Sequence, residues 1–315
     1  MRCLVTGASG HLGSYLVSQL VEHEHEVIAL VRPQSDVWRL RDVLEQITLV
    51  RADLADLPTL TEAVTIAGPQ IVFHSAWNGV TGAFRNDQAQ IHRNVIGSLA
   101  LCEAARVAGC SCWVGIGSQA EYGPYPGILS EQLHPKPTTA YGVAKLCVGL
   151  LTQKLCDLAG MRYIWLRLLA TYGPKDDDRH LIPSIIRQLL AGAIPELTSG
   201  EQKWDYLYVE DAAEAICRAA MTTGIEGCYN LGSGEAQTVR AIVEQIRDII
   251  DPALPLGFGK LEYRPDQAMQ LKADISLLKS AICWEPRTSL ETGLRSTVGW
   301  YRSQAHHVVE GRALG

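Results

Sequence analysis

No apolar stretch of this sequence reaches the length that a bilayer-spanning helix requires. An excess of positive charge is missing as well. Lys and Arg number 28 against 34 Asp and Glu, a net charge of −6, which argues against nucleic acid or an anionic membrane surface as partner. A locally basic site for an anionic substrate is still compatible with that balance. Cys110 and Cys112 have no second pair or histidine cluster to complete a metal site, so no metal is expected. The nine scattered cysteines are read as core thiols in a reducing compartment. The run Glu22-His23-Glu24-His25-Glu26 ends a helical pattern and reads as a solvated polar turn. The first strand pattern begins at Arg2, which leaves no room for a signal peptide before it, and a cytoplasmic location is the expectation. Internal repeats and low-complexity segments are absent too.

The 315 residues, 47% hydrophobic and 20% charged, have the composition of an ordinary globular protein with ample core. Its most informative segment is LVTGASGHLG, in which an apolar strand runs into Gly7, Gly10 and Gly13. Small residues at these positions let the backbone turn tightly, let a pyrophosphate approach the main chain, and let the next helix pack on the strand. A helix starting near His11 points its N-terminal N–H groups and positive dipole end at the phosphates. Its amphipathic run, Leu12, Leu16, Val17, Leu20 and Val21, supplies the context that a glycine triplet alone lacks.

Further strand patterns at Val27–Val31, Ile47–Arg51, Ile71–His74, Cys112–Ile116 and Tyr163–Leu168 alternate with helical ones. That alternation predicts an α/β fold, a Rossmann-like doubly wound parallel sheet, with a smaller C-terminal substrate-binding lobe. The expected NAD(P)-binding domain covers 1–171, with segments near 204–220 and 228–248 returning to it, including strands at Trp204–Val209 and Cys228–Leu231. The lobe takes 172–203 and 249–303, where prolines and glycines break the pattern, and 304–315 reads as a loose tail.

An NAD site normally carries an acid at the end of the second strand to hold the ribose 2′-hydroxyl. Here that position reads Leu30-Val31-Arg32-Pro33, with Ser35 and Arg39 nearby. A guanidinium suits a 2′-phosphate, so NADP(H) is favoured over NAD(H). Asp53, after the third strand, is placed either to hydrogen-bond the adenine amino group or to cap a helix.

Ser118, Tyr141 and Lys145 are the candidate catalytic residues. Tyr141 and Lys145 are one helical turn apart and share a face. An adjacent ammonium brings a phenol down from its ordinary pKa of about 10 toward the working range. Lys145 is also placed to hydrogen-bond the nicotinamide ribose. Ser118 follows the fifth strand, at the carboxyl edge of the sheet where ligands bind, and its hydroxyl is suited to polarise a substrate carbonyl.

Taken together, these motifs resemble the extended short-chain dehydrogenase/reductases, the group that modifies nucleotide-linked sugars. The resemblance rests on the Gly7–Gly13 turn, His74-Ser75-Ala76, Asn94-Val95-Ile96-Gly97, Gly117-Ser118-Gln119-Ala120-Glu121-Tyr122-Gly123 and Tyr141-Gly142-Val143-Ala144-Lys145. Further on it includes Leu166-Arg167-Leu168, Tyr172-Gly173-Pro174, the Asp205–Asp211 segment and Arg264-Pro265-Asp266. It implies hydride transfer at a sugar carbon, with Tyr141 as acid/base, Lys145 on tyrosine and ribose, and Ser118 on the reacting oxygen. It extends the cofactor contacts to Ser9, His11, Leu12, Leu54, Ala76 and Leu168. For the substrate it implies Arg264 on the diphosphate. Lys203 is placed to supply charge beside it, and Gln119 is a further expected substrate contact. Trp77, Asn78 and His180, in loops at the sheet edge, are of residue types that suit a sugar ring.

Departures narrow the expected activity. The 4,6-dehydratases of the family carry Asp-Glu where this chain has Gln119-Ala120, and the fucose-type epimerase-reductases carry cysteine at the position of Ala120. The 4-epimerases tend to carry an acid after the second strand, and this chain has Val31 there. The diphosphate grip is altered too, with Ala170 in place of an asparagine and Trp204 in place of an arginine. The reading favoured on these grounds is an NADPH-dependent reductase of a nucleotide-diphospho-4-keto-6-deoxyhexose. The alternatives are an NAD-dependent sugar-nucleotide epimerase, an NADPH reductase of a non-nucleotide ketone, and a non-enzymatic cofactor sensor. The resemblance also implies a homodimer through helices around Asn94–Ala108 and Tyr141–Asp157. The segment Lys175–Arg179 is read as a solvated loop.

Overall fold

Strand β1 (Arg2–Thr6) is buried from Cys3 onward, and side chains on both of its faces need cover. It pairs in parallel with β2 (Glu26–Val31) on one side and with β4 (Ile71–His74) on the other. β3 (Thr48–Arg51), β5 (Cys112–Ser118), β6 (Arg162–Leu168) and β10 (Gly227–Leu231) complete a seven-stranded sheet in the order β10-β6-β5-β4-β1-β2-β3. All its pairings are parallel. The structure, a computed structural model, describes residues 1–80, 82–264 and 267–313.

The two-residue period of a strand sends alternate side chains to opposite faces. Cys3, Val5, Val27, Ala29, Val114 and Ile116 meet α1 (His11–Glu22), α6 (Val209–Met221) and α8 (Ser276–Ile282) in one core. Leu4, Ile28, Leu30 and Trp113 meet α2 (Leu57–Ala67), α3 (Ile96–Val107) and α4 (Ala140–Ala159) in the other. Local signals set the helix ends. Asp56 caps α2, which stops at Gly68 with φ 50°. Thr139 caps α4, its hydroxyl accepting from the Gly142 N–H, and α4 stops at Gly160 with φ 63°.

The lobe has its own core. α5 (Leu181–Leu190), α7 (Val239–Ile250) and α9 (Leu290–Ala313) enclose Ile182, Ile186, Ile242, Ile246, Leu294 and Val298. β7 (Ala170–Tyr172) pairs with β9 (Tyr206–Tyr208), while β8 (Lys203–Trp204) lies between β11 (Gln237–Thr238) and β12 (Gln270–Leu271).

Two expectations are corrected here. Trp204–Val209 does not return to the main sheet. Trp204 and Tyr206 turn to the lobe core, and the buried Asp205 between them accepts N–H groups from Ser233 and Gly234, which ties the segment to the loop after β10. The chain also stays helical beyond Gln304, where a loose tail was expected, because no proline or glycine interrupts Trp300–Glu310.

From β1 the strand order steps to β2 and β3 on one side and to β4, β5, β6 and β10 on the other. The order reverses between β1 and β4, so the crevice beyond their carboxyl ends is the expected ligand site.

Candidate active site

The turn after β1 meets the loop after β4 at that reversal. Gly7 has φ 69°, and a Cβ there would lie 2.7 Å from the Ala76 backbone nitrogen. A Cβ on Gly13 would collide with the Gly7 carbonyl, so the first turn of α1 packs directly on the glycine turn. The resulting cleft has a volume of about 470 Å³ and is walled by Gly7, Ser9, Gly10, Arg32, Asp53, Leu54 and Ala76 among the residues expected for a dinucleotide. Glycine backbone at the phosphate end and Arg32 and Asp53 at the far end fit such a group.

Not every expected contact faces this cleft. Leu12 packs into the core, and Leu168 ends β6. His11 turns away, its Nδ1 3.2 Å from Asp176 and its Nε2 3.1 Å from the Pro174 carbonyl. Asp176 is therefore not part of a solvated loop. It is buried, and its Oδ1 also meets His180 Nδ1 at 2.9 Å and accepts from the Asp177 N–H. His180 thus braces the lobe loop against α1, and its partner Asp176 raises its pKa. Asp53 receives the Ala55 N–H at 2.9 Å, while the capping of α2 belongs to Asp56.

Ser118 is the last residue of β5, which runs two residues beyond the Ile116 end that the sequence pattern predicts. Its hydroxyl accepts from the Ala120 N–H and meets the phenol of Tyr141, the second residue of α4. Gln119 and Ala120 follow in a short 3₁₀ turn and are half-buried. The Tyr141 N–H donates to the Arg85 carbonyl at 2.8 Å, and the Arg85 guanidinium lies 5.4 Å from the phenol ring centre.

Here the structure corrects the expected electrostatics. Burial raises the Tyr141 pKa above its ordinary value, and the opposing cation is Arg85. Lys145 donates to the Ile116 carbonyl at 2.7 Å and lies 3.8 Å from the centre of the Trp77 ring. Burial pushes Lys145 down to about 7. Burial also holds neighbouring His74 down at about 3, between the hydroxyls of Thr6 and Ser98.

Trp77 and Asn78, expected at the sugar, line the cleft, and the Trp77 ring packs edge-on against Tyr141. A π-helical turn over Gln90–Val95 fixes them. Gln90 accepts from Trp77 Nε1 at 2.8 Å, and Asn94 exchanges two hydrogen bonds with the Asn78 backbone. Sequence reasoning missed Gln90, Arg85 and Arg93. Arg93 also walls the cleft, and its position one residue before the Asn94 motif was the available signal.

On the substrate side, Arg264 lies beside Gly82, where a Cβ would stand 3.1 Å from its Nη1. That places it near the segment carrying Arg85. Pro265 and Asp266 of the same motif lie outside the described residues. Trp204 donates to the Ala268 carbonyl and packs on Tyr206, and Lys203 is exposed on β8.

A seven-stranded parallel sheet with a dinucleotide cleft and a Ser/Tyr/Lys cluster at its carboxyl edge defines a nucleotide-dependent oxidoreductase-like enzyme. The chain belongs to the NAD dependent epimerase/dehydratase family, whose model matches residues 3–232. It is 27% identical over 312 residues to a dTDP-glucose 4,6-dehydratase of Mycobacterium tuberculosis, covering 96% of this chain and 93% of that one. Among solved structures it is similar to a UDP-glucose 4-epimerase of Thermotoga maritima, crystallised with UDP-glucose (TM-score 0.89, 26% identity, 97% of this chain and 100% of that one). A UDP-glucose 4-epimerase of Thermus thermophilus in complex with NAD gives a TM-score of 0.88 at 26% identity, covering 96% and 99%. These are epimerases and a dehydratase, where the sequence reading favoured a reductase.

Proposed function

We propose that this protein is an NAD-dependent epimerase of a nucleotide-diphospho-hexose. The carrying observation is the buried Ser118–Tyr141 pair beside the cleft, followed by Gln119-Ala120, which has no acid to drive elimination of water. The similar Thermotoga protein holds UDP-glucose and the similar Thermus protein holds NAD, which supports a uridine-linked sugar and a dinucleotide for this chain.

Gly7, Ser9 and Gly10 would hold the pyrophosphate, with Arg32 and Asp53 at the adenosine end. A nicotinamide held in the cleft supplies a hydride acceptor and donor. The residues of this chain handle the proton. Tyr141 exchanges it with the sugar hydroxyl oxygen, and Ser118 hydrogen-bonds that oxygen. Burial keeps the phenol protonated for the donating half-reaction, and Arg85 over its ring favours the phenolate needed for the accepting half.

A second reading, an NADPH-dependent ketone reductase, is favoured by Arg32 at the end of β2, where an acid would select NAD. We also propose a homodimer through α3 and α4, whose outer faces expose Ile96, Val107, Val143, Leu150 and Leu158.

The test incubates the purified protein with UDP-glucose or UDP-galactose and NAD, without added reductant, and follows the sugar protons by NMR. Interconversion of the epimers with no net change in NADH absorbance is expected. Stoichiometric NADPH oxidation with a nucleotide-linked 4-keto sugar, and no epimer exchange, replaces this reading with the second.

A further inference from the structure

Glu121 is fully buried directly behind the reaction centre. Its Oε1 accepts from the Ser118 backbone N–H at 2.8 Å and from Trp165 Nε1 at 3.0 Å. Its Oε2 accepts from Arg167 Nε at 2.8 Å. The Ser118 hydroxyl in turn accepts from the following 3₁₀ turn, so the two side chains form a reciprocal cap. The space for the carboxylate exists because β5 carries Gly117, where a Cβ would stand 2.5 Å from Glu121 Oε1 and collide with Trp165 Nε1. Arg167 is itself buried, with its guanidinium 4.6 Å from the Tyr122 ring centre. The Tyr122 hydroxyl continues to Asn230 on β10 at 2.7 Å.

Resting on the oxidoreductase reading of the site, we propose that Glu121 is a positioning residue: it fixes the Ser118 backbone between β5 and β6 and keeps one negative charge beneath Tyr141 and Lys145. A cap alone requires only a hydrogen-bond acceptor, which glutamine supplies. A buried ion pair costs desolvation that an apolar pair avoids, so the retained charge points to a use beyond packing. Other charged or titratable groups face the same two residues. Arg85 approaches Tyr141 from the segment before α3, and His74 of β4 shares the electrostatic environment of Lys145. Arg167 of β6 balances Glu121. Glu121 is the anion that opposes the effect of burial on Lys145.

The experiment is a ¹³C NMR titration of the Lys145 side chain in the full-length protein without substrate, with K145R to assign the signal. It compares wild type, E121Q and the double variant E121Q/R167Q, which leaves no buried unpaired guanidinium. The Lys145 midpoint is expected to fall by about one pH unit in E121Q and to stay lowered in the double variant. With substrate, kcat is expected to fall about tenfold while NAD affinity changes less than about twofold. A double variant that folds and titrates like wild type overturns the proposal and leaves Glu121 a packing residue. Because the titration uses no substrate, failure of the proposed epimerase activity in wild type is a separate result.

Discussion

The Lys145 ammonium rests on the face of Trp77, 3.8 Å from the ring centre, with the Tyr141 ring edge-on to the same tryptophan at 5.9 Å. Trp77 also walls the cleft beside the glycine turn, so one side chain touches both that cleft and the Tyr141–Lys145 pair. Burial then dominates the cation: the ring and the Ile116 carbonyl replace only part of its water.

That dominance makes stability depend on pH in a defined direction. Lys145 titrates near 7 in the folded protein against 10.5 in the unfolded chain. Below about pH 7 both states carry the proton and the cost of the buried charge is constant. Between about 7 and 10.5 the unfolded chain binds a proton that the folded protein lacks, so unfolding becomes harder as pH rises. The slope from this group is at most about 1.4 kcal/mol per pH unit. Urea unfolding of wild type and Lys145→Met is expected to give a stability difference that is flat at low pH and shifts in favour of wild type above about pH 7. A difference independent of pH to about pH 9.5 rejects a depressed Lys145.

Tyr141→Phe removes the proton-exchanging hydroxyl and its contact with Ser118, leaving the ring against Trp77 and Arg85. Turnover is expected to drop about 10²–10⁴-fold, the range for a positioned acid/base. Isothermal calorimetry is expected to show NAD affinity within a few fold of wild type, because the proposed pyrophosphate contacts lie on the glycine turn and not on Tyr141. Retained turnover in this variant removes Tyr141 from the chemistry.

What the sequence made legible follows its short-range signals. The glycine turn, the alternating strands and the Tyr141–Lys145 spacing are each encoded within a few residues, and the parallel sheet follows from them. The environment of the reaction centre is not so encoded. The sequence spacing implied that Lys145 would lower the Tyr141 pKa, whereas the folded chain puts Trp77 against the ammonium and Arg85 against the phenol. Both come from the segment after β4, brought there by the π-helical turn at Gln90–Val95, which leaves no periodic sequence signature. Asp176 was misread for a related reason. Three consecutive aspartates look solvated, and only the fold reveals that His11, more than a hundred and sixty residues away, covers one of them. The preference for a reductase over an epimerase rested on Val31 and Arg32 after the second strand, a local departure that does not outweigh the similarity of the whole chain to epimerases.

Arg32 nevertheless has a testable effect. It is exposed on the cleft wall, with Ser35 and Arg39 beside it, at the end of β2. Arg39 donates to the backbone carbonyls of Lys175 and Ser9, which leaves Arg32 as the better placed guanidinium for a 2′-phosphate. Arg32→Ala is expected to weaken NADPH about tenfold more than NADH in fluorescence titrations, the scale of one charge-assisted pair. Equal losses for the two cofactors show that Arg32 does not reach the 2′ position.

The apolar surface of α3 and α4 leads to the last expectation. Leu150 is 59% exposed and Leu158 73%, two turns apart on α4, with Val143 two turns before Leu150. Ile96 and Val107 are exposed on α3, the helix packed alongside. Exposed apolar side chains grouped on one helix pair suit an interaction surface, and in the proposed homodimer two copies of the pair would bury them as a four-helix arrangement. Leu150→Glu with Leu158→Glu is expected to convert a dimer into a monomer in multi-angle light scattering at micromolar concentration. The substituted side chains lie outside both sheet-facing cores, so the monomer should keep its far-ultraviolet circular dichroism. A wild-type protein that is already monomeric under these conditions rejects the interface.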